Sequence, residues 1–168
     1  PVLSFTTEEI WQHLTDGREE SVFMSTWYED LFELDQPEDR ARWELLMSVR
    51  DKVSKNIEEL RAAGQVGSSL GSEVRIWADG DVMQALEWAG DELRFLLITS
   101  EAQFASLDEA PSDLPVTELT GSKLVISVSA STHDKCVRCW HQREDVGQSA
   151  EHPELCGRGI EDGAGAGE

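Results

Sequence analysis

The 168-residue sequence predicts an α+β chain: a helical first part, a small α/β domain, and a C-terminal zinc-ribbon-like module. Three observations carry that expectation. Apolar residues recur at helical spacing between Asp35 and Gly64, a two-residue alternation runs from Lys123 to Ser129, and Cys136, Cys139 and Cys156 stand at metal-ligand spacing. The expected divisions are residues 1–64, 65–130 and 131–162, with 163–168 a flexible tail.

Taken in order, Thr6 and Glu9 form a capping-box pattern ahead of Ile10, Trp11 and Leu14, so a short amphipathic helix is expected to end at Gly17. Residues 21–35 read as a packed loop with a turn of helix. Next, Asp35 can cap, Pro37 suits a first helical position, and Glu38 and Asp39 suit a first turn. Leu46, Val49, Val53, Ile57 and Leu60 then mark one buried face of a helix of about 25 residues, stopped by Gly64. Its exposed side carries Arg42, Arg50, Lys52, Lys55 and Arg61, either as a solvated face with ion pairs or as a surface for RNA. After residues 67–69 the pattern changes. Val74–Trp77 reads as a strand, Asp81–Ala89 as a short helix, Phe95–Thr99 as a buried strand, and Pro111–Pro115 as a turn-rich connector. Leu124, Ile126 and Val128 then share one face of a strand over 123–129.

Charge narrows the function. The chain holds 14 basic and 34 acidic side chains, a net charge of −20. Residues 1–64 carry 7 basic and 15 acidic groups, residues 65–131 carry 3 and 11, and residues 132–168 carry 4 and 8. No segment is basic, so affinity for a polyanion must be local rather than a property of the whole surface. The longest fully apolar run, Phe95–Ile98, is far too short to span a bilayer, so no membrane partner is expected. A first residue of Pro1 and no signal-like segment suggest a piece of a longer cytoplasmic protein.

Three cysteines in two clusters do not suit a disulfide framework, which favours even numbers at spread positions. A redox pair is expected at a helix start after a strand, whereas Cys136 and Cys139 follow a Ser/Thr-rich turn. Metal binding is the better reading. The pattern is C-x2-C, sixteen residues, then C-x2-G. A closed zinc site takes four ligands from two tight turns, and here the fourth corner is Gly159.

Lys135-Cys136-Val137-Arg138-Cys139-Trp140-His141, Asp145-Val146-Gly147 and His152-Pro153-Glu154-Leu155-Cys156-Gly157-Arg158 closely resemble the C-terminal zinc module of bacterial isoleucyl-tRNA synthetases. Residues 1–11 resemble that family's helical anticodon-binding domain, Arg50–Lys55 its long helix, and Val66–Leu70 the segment leading to its small C-terminal domain. The resemblance covers almost the whole chain. It implies an accessory region that binds the anticodon stem-loop of isoleucine tRNA, beside a catalytic remainder that forms the adenylate. The family's His-Ile-Gly-His-type and Lys-Met-Ser-Lys-Ser-type motifs do not occur, so this chain alone is not expected to charge tRNA. A monomer is expected.

The resemblance also implies Cys136, Cys139 and Cys156 as ligands to one zinc ion, and it places RNA contacts at Arg138, Trp140, His141 and Arg158, with Arg50, Lys52 and Lys55 from the long helix. The chain departs from the family at Gly159, where the fourth cysteine is expected. A nitrogen from His152, His133 or His141, or a water, can complete the set; otherwise the site is weakened or metal-free. Trp140 either packs against the module or, exposed, offers a stacking surface to an unpaired base. Two rivals stand beside this reading: a free-standing ribbon that binds nucleic acid, and an acidic protein-interaction adaptor.

Overall fold

The computed structural model describes residues 3–14, 19–27, 29 and 36–164. It divides into two compact units, Pro1–Asp35 and Gln36–Glu168.

In the first unit, α1 (Ser4–His13) begins two residues before the expected cap. Leu3 occupies the cap position without a side-chain bond, and Thr7 Oγ1 donates to the Leu3 carbonyl (2.7 Å), so the capping box is not formed. The helix ends at His13, and Gly17 lies outside the described residues. Glu8 instead reaches forward: its Oε2 accepts from Ser21 Oγ (2.9 Å) and from the Val22 amide (3.1 Å), holding the single turn Val22–Met24. An open groove of about 650 Å³ runs past Trp11, Val22, Phe23 and Trp27.

The second unit starts with α2 (Pro37–Ala62). Its N-cap is Gln36, with Pro37 at the first turn beside Glu38 and Asp39; the expected cap, Asp35, lies outside the described residues. Leu46, Val49, Val53 and Ile57 are buried as the stripe requires, and Leu60 packs at the edge. Gly64 (φ 71°) closes the helix while the Gln65 amide reaches back to the Leu60 carbonyl (2.9 Å), a Schellman-type stop.

β1 (Ser72–Ala78) and β4 (Ser122–Ala130) form the centre of a four-stranded sheet. With β2 (Glu101–Ser106) and β3 (Thr117–Leu119) the order is β2-β1-β4-β3. β1 pairs parallel to β2 and antiparallel to β4. A parallel pair needs a crossover, supplied by α3 (Gly80–Ala89) and α4 (Leu93–Leu97). The buried stripe of α2 shares one core with Val74, Ile76, Val82, Leu86, Leu93 and Leu124. Ser122 Oγ, arriving from β4, accepts from the Asp81 and Val82 amides and so caps α3. Gly80 is required there: its φ is 54°, and a Cβ would sit 2.7 Å from that oxygen.

Three expectations change. Phe95–Thr99 is not a strand. Leu93 and Leu97 are buried one turn apart in α4, and Ile98 turns left-handed (φ 57°) to end it. The strand lies just beyond, at Glu101–Ser106, where Ala102 and Phe104 pack against the core. Second, Gly163 and Ala164 complete a helix, α5 (Gly157–Ala164), rather than starting a tail; residues 165–168 lie outside the described residues.

Third, the basic side chains of α2 do not share one face. At about 100° per residue, Arg50 and Arg61 flank one side of the buried stripe, Lys52 the other, and Lys55 lies nearly opposite it. Arg42 pairs with Asp39 and Arg61 with Glu58.

The cysteine segment is anchored to the sheet through Ser100. This fully buried residue donates to the Leu70 carbonyl (2.5 Å) and accepts from the Gln142 amide (2.6 Å). Ser100→Ala leaves both half-buried partners without their bond and should cost about 2–4 kcal/mol. Urea unfolding reads the loss, and the Gln142 amide should lose its hydrogen-exchange protection; unchanged protection contradicts the anchor.

Candidate metal centre and nucleic-acid interface

The segment after β4 is folded by turns rather than by strands. A single antiparallel bridge joins Lys135 to Gln142, and the Cys136 amide donates to the His141 carbonyl (2.9 Å). Between them the Trp140 amide returns to the Cys136 carbonyl (2.9 Å), closing the C-x2-C knuckle with Trp140 left-handed at φ 66°. Few non-glycine residues adopt that conformation, and here it follows from closing the loop around two thiols. The Val137 amide donates to the Glu154 carbonyl (3.1 Å), which brings the third cysteine alongside. Asp145 Oδ2 then accepts from the Gly157 amide (2.7 Å) at the start of α5.

Cys136, Cys139 and Cys156 converge with their sulfurs within 4.8 Å of one another. Cys139 and Cys156 sulfurs are 3.6 Å apart, close to the ~3.8 Å edge of a tetrahedron with ~2.3 Å zinc–sulfur bonds. Cys136 and Cys156 are buried and Cys139 half-buried. Position 159 faces the same point: a Cβ there would lie 3.2 Å from Cys136 Sγ and 3.6 Å from Cys156 Sγ. The Gly159 amide itself points at Cys156 Sγ (3.4 Å). The three sulfurs therefore fit a zinc ion, with a backbone glycine at the fourth corner. Among the described residues no histidine or carboxylate joins the three-cysteine group. His152 is exposed, with its amide donating to Ser149 Oγ (3.2 Å), and His133 faces Glu73 (3.7 Å).

The thiols differ sharply. Burial opposes ionisation of Cys136, but hydrogen bonds from the Cys139, Cys156 and Arg138 backbones and from the Cys139 side chain outweigh it, lowering its pKa from 9.0 to about 6. Burial raises Cys156 to about 11 against the Gly159 amide, and the neighbouring thiols push the same way. One thiolate is thus ready near neutral pH and a second is withheld, a charge conflict that a divalent cation relieves. Between pH 6 and 11, Cys156 retains a proton that metal must displace, so the metal-bound state holds fewer protons and affinity rises with pH. Zinc affinity should increase at least about tenfold per pH unit from 7 to 8. Competition against a chelator at several pH values reads this, and a flat profile contradicts it.

Four of the expected RNA-contact residues lie in the cysteine segment, and Arg50, Lys52 and Lys55 lie on α2. Trp140 is 59% exposed, with the Lys135 ammonium 4.8 Å from its ring centroid. Arg138 is exposed and donates to the Asp162 carbonyl (2.9 Å). His141 is half-buried, its Nδ1 3.1 Å from the Cys139 carbonyl and its ring edge-on to Phe95 at 5.9 Å. Burial holds its imidazole below the ordinary range, and the charges of Arg94, Arg158 and Arg143 add to this despite the Cys139 carbonyl. Arg158 stacks on Phe95 with its guanidinium 4.6 Å from the ring centroid. Arg50 and Lys52 are half-buried and Lys55 is exposed, and none of the three forms an ion pair among the described residues. Arg94 and Arg143, absent from the sequence expectation, also meet here. Both line a cleft with Cys139, Cys156, His141 and Arg158. No local pattern signals them, because positions 94 and 143 become neighbours only on folding.

Comparison with known proteins matches two separate stretches of the chain. The model for the anticodon-binding domain of tRNA ligase matches residues 1–76, and that for the zinc finger found in FPG and IleRS matches residues 134–158. All of the chain aligns with isoleucine–tRNA ligases: 51% identical over 170 residues to that of Methylococcus capsulatus, 48% to that of Halorhodospira halophila, and 49% to that of Pseudomonas aeruginosa. The chain spans 18% of the length of each of these curated relatives. Two family models in chain order, and about half of all residues identical along the whole chain, make it similar over its full length to the C-terminal region of bacterial isoleucine–tRNA ligases.

Proposed function

We propose that this chain binds the anticodon stem-loop of isoleucine tRNA, while a catalytic remainder of the synthetase activates the amino acid. The observation that carries this is the 51% identity over the entire chain to an isoleucine–tRNA ligase. The exposure of Trp140 supports it: a large indole held outward at a strained backbone position offers a π-face to an unstacked base. Arg138, His141 and Arg158 would contact phosphate or base beside it, and Arg50, Lys52 and Lys55 would meet the stem at separate points. Cys136, Cys139 and Cys156 would hold one zinc ion, more weakly than four thiolates would, with water completing the set. Residues 1–64 would act as the helical anticodon-binding part, 65–130 as the small α/β part and 131–162 as the metal module, in a cytoplasmic monomer. No helix among the described residues is long and apolar enough to cross a membrane.

Acidity favours a second reading, a protein-interaction surface, since a net charge of −20 repels RNA at a distance. Binding to stem-loops carrying the isoleucine or a swapped anticodon, across a salt series, separates the two. A preference for the isoleucine loop of about tenfold or more supports the proposal. Equal affinity removes the anticodon role, and absence of binding at low salt leaves the interaction surface.

A further inference from the structure

We infer that the cleft formed by Arg94, Arg143 and Arg158 around Phe95, between α4 and the cysteine module, binds one phosphodiester of the RNA backbone. This rests on the proposed RNA-binding role and adds a contact that no residue in the cysteine motif alone supplies.

The charge distribution points to it first. Residues 65–168 contain only seven basic side chains: Arg75, Arg94, Lys123, Lys135, Arg138, Arg143 and Arg158. Three of these seven line one cleft of about 50 Å³, where Asp145 is the only carboxylate among the lining residues. In a chain of net charge −20, the lining gathers three guanidiniums against one carboxylate and two metal-ligand sulfurs, and of the three arginines only Arg94 has no ion pair among the described residues. Asp145 is also committed, its Oδ2 accepting from the Gly157 amide.

The geometry is that of a built site. Arg94 and Arg158 each hold their guanidinium carbon 4.6 Å from the Phe95 centroid, so one ring orients both planar forks. Arg143 is fixed from behind, Nη1 to Glu101 Oε2 at 3.1 Å and Nε near Asp145 Oδ1 at 3.7 Å. Arg158 has a longer pairing with Asp162 (3.5 Å), and Arg94 has no ion pair among the described residues. Like charges gathered on a shared aromatic repel one another, and a monoanionic phosphodiester oxygen pair answers them with bidentate bonds. Arg94 belongs to the α/β part and Arg143 and Arg158 to the module, so a bound phosphate would tie the two together.

The bland rival is that the arginines merely balance the neighbouring thiolates. Arg94→Gln separates these cases, because Arg94 forms no ion pair among the described residues. Using the 168-residue chain and the isoleucine anticodon stem-loop, R94Q should weaken binding about fivefold at 0.1 M salt, and lower the slope of log K against log salt by about 0.7. It should do so equally for the swapped-anticodon loop, since phosphate contacts carry no sequence. R94K should restore the slope, and zinc affinity of R94Q should stay within about twofold of the parent. A stem-loop with one methylphosphonate at the contacted position should bind R94Q and parent alike. If the parent binds the stem-loop but R94Q keeps its affinity and slope, the phosphate site is overturned and the RNA-binding proposal survives. If R94Q loses zinc with an unchanged slope, the arginines serve the sulfurs and the inference is overturned. If the parent binds no stem-loop at low salt, both readings fall together.

Discussion

Gly159→Cys should tighten zinc binding by about a hundred- to a thousandfold. A four-ligand structural site contributes roughly 10–16 kcal/mol in apparent binding, so one thiolate accounts for about 2.5–4 kcal/mol. The geometry is favourable: a Cβ at position 159 stands 3.2 Å from Cys136 Sγ and 3.6 Å from Cys156 Sγ, at the first turn of α5. The approach to Cys136 Sγ is tight for a passive side chain, and a shared metal would draw the sulfurs into place instead. Chelator competition reads the affinity, and cobalt substitution reads the geometry through the intensity of its ligand-field bands. An unchanged affinity would show that another protein group already fills the corner.

Trp140→Ala should weaken binding of the isoleucine stem-loop by about five- to a hundredfold, because base–aromatic stacking contributes roughly 1–3 kcal/mol. Zinc affinity and unfolding midpoint should barely move, since the indole is 59% exposed and packs on no core residue. Trp140→Phe should recover most of the loss. A drop in stability equal to the drop in affinity would assign the indole to packing instead. The contrast with R94Q is informative: loss at Trp140 should depend on the anticodon, and loss at Arg94 should not.

What the sequence made legible follows from how local each signal is. The α2 stripe was readable because Leu46, Val49, Val53 and Ile57 repeat over about three turns and nothing competes with them. β4 was readable because Leu124, Ile126 and Val128 share one face, although Val125 between them is also buried. The run from Phe95 to Ile98 carries no period of its own; Leu93, two residues before it, makes it helical by pairing with Leu97. β2 has only Ala102 and Phe104 to mark it, and it is a strand because β1 lies beside it in parallel register. α5 begins Gly-Arg-Gly, with glycine, a poor helix former, at two of its first three positions, yet Cys156 and Asp145 fix its first turn.

The site shows the same divide. Three sulfurs and the facing glycine follow from spacing alone, since two knuckles of that size converge. The basic residues of α2 do not form one surface: side chains counted together along the sequence point in different directions around the helix. Arg94 and Arg143 lie 49 positions apart in the chain and meet only because the Gln142 amide is bonded to Ser100. Convergence of that kind leaves no trace in a one-dimensional pattern.

Discrimination between the isoleucine and swapped-anticodon stem-loops, measured before and after zinc removal and again after zinc is restored, tests the central proposal most directly. The preference should be about tenfold or more with metal, collapse toward unity when the sulfurs are stripped, and return with zinc. Equal affinity for both loops in the zinc-loaded protein, or a preference untouched by chelation, would contradict a metal-organised anticodon site.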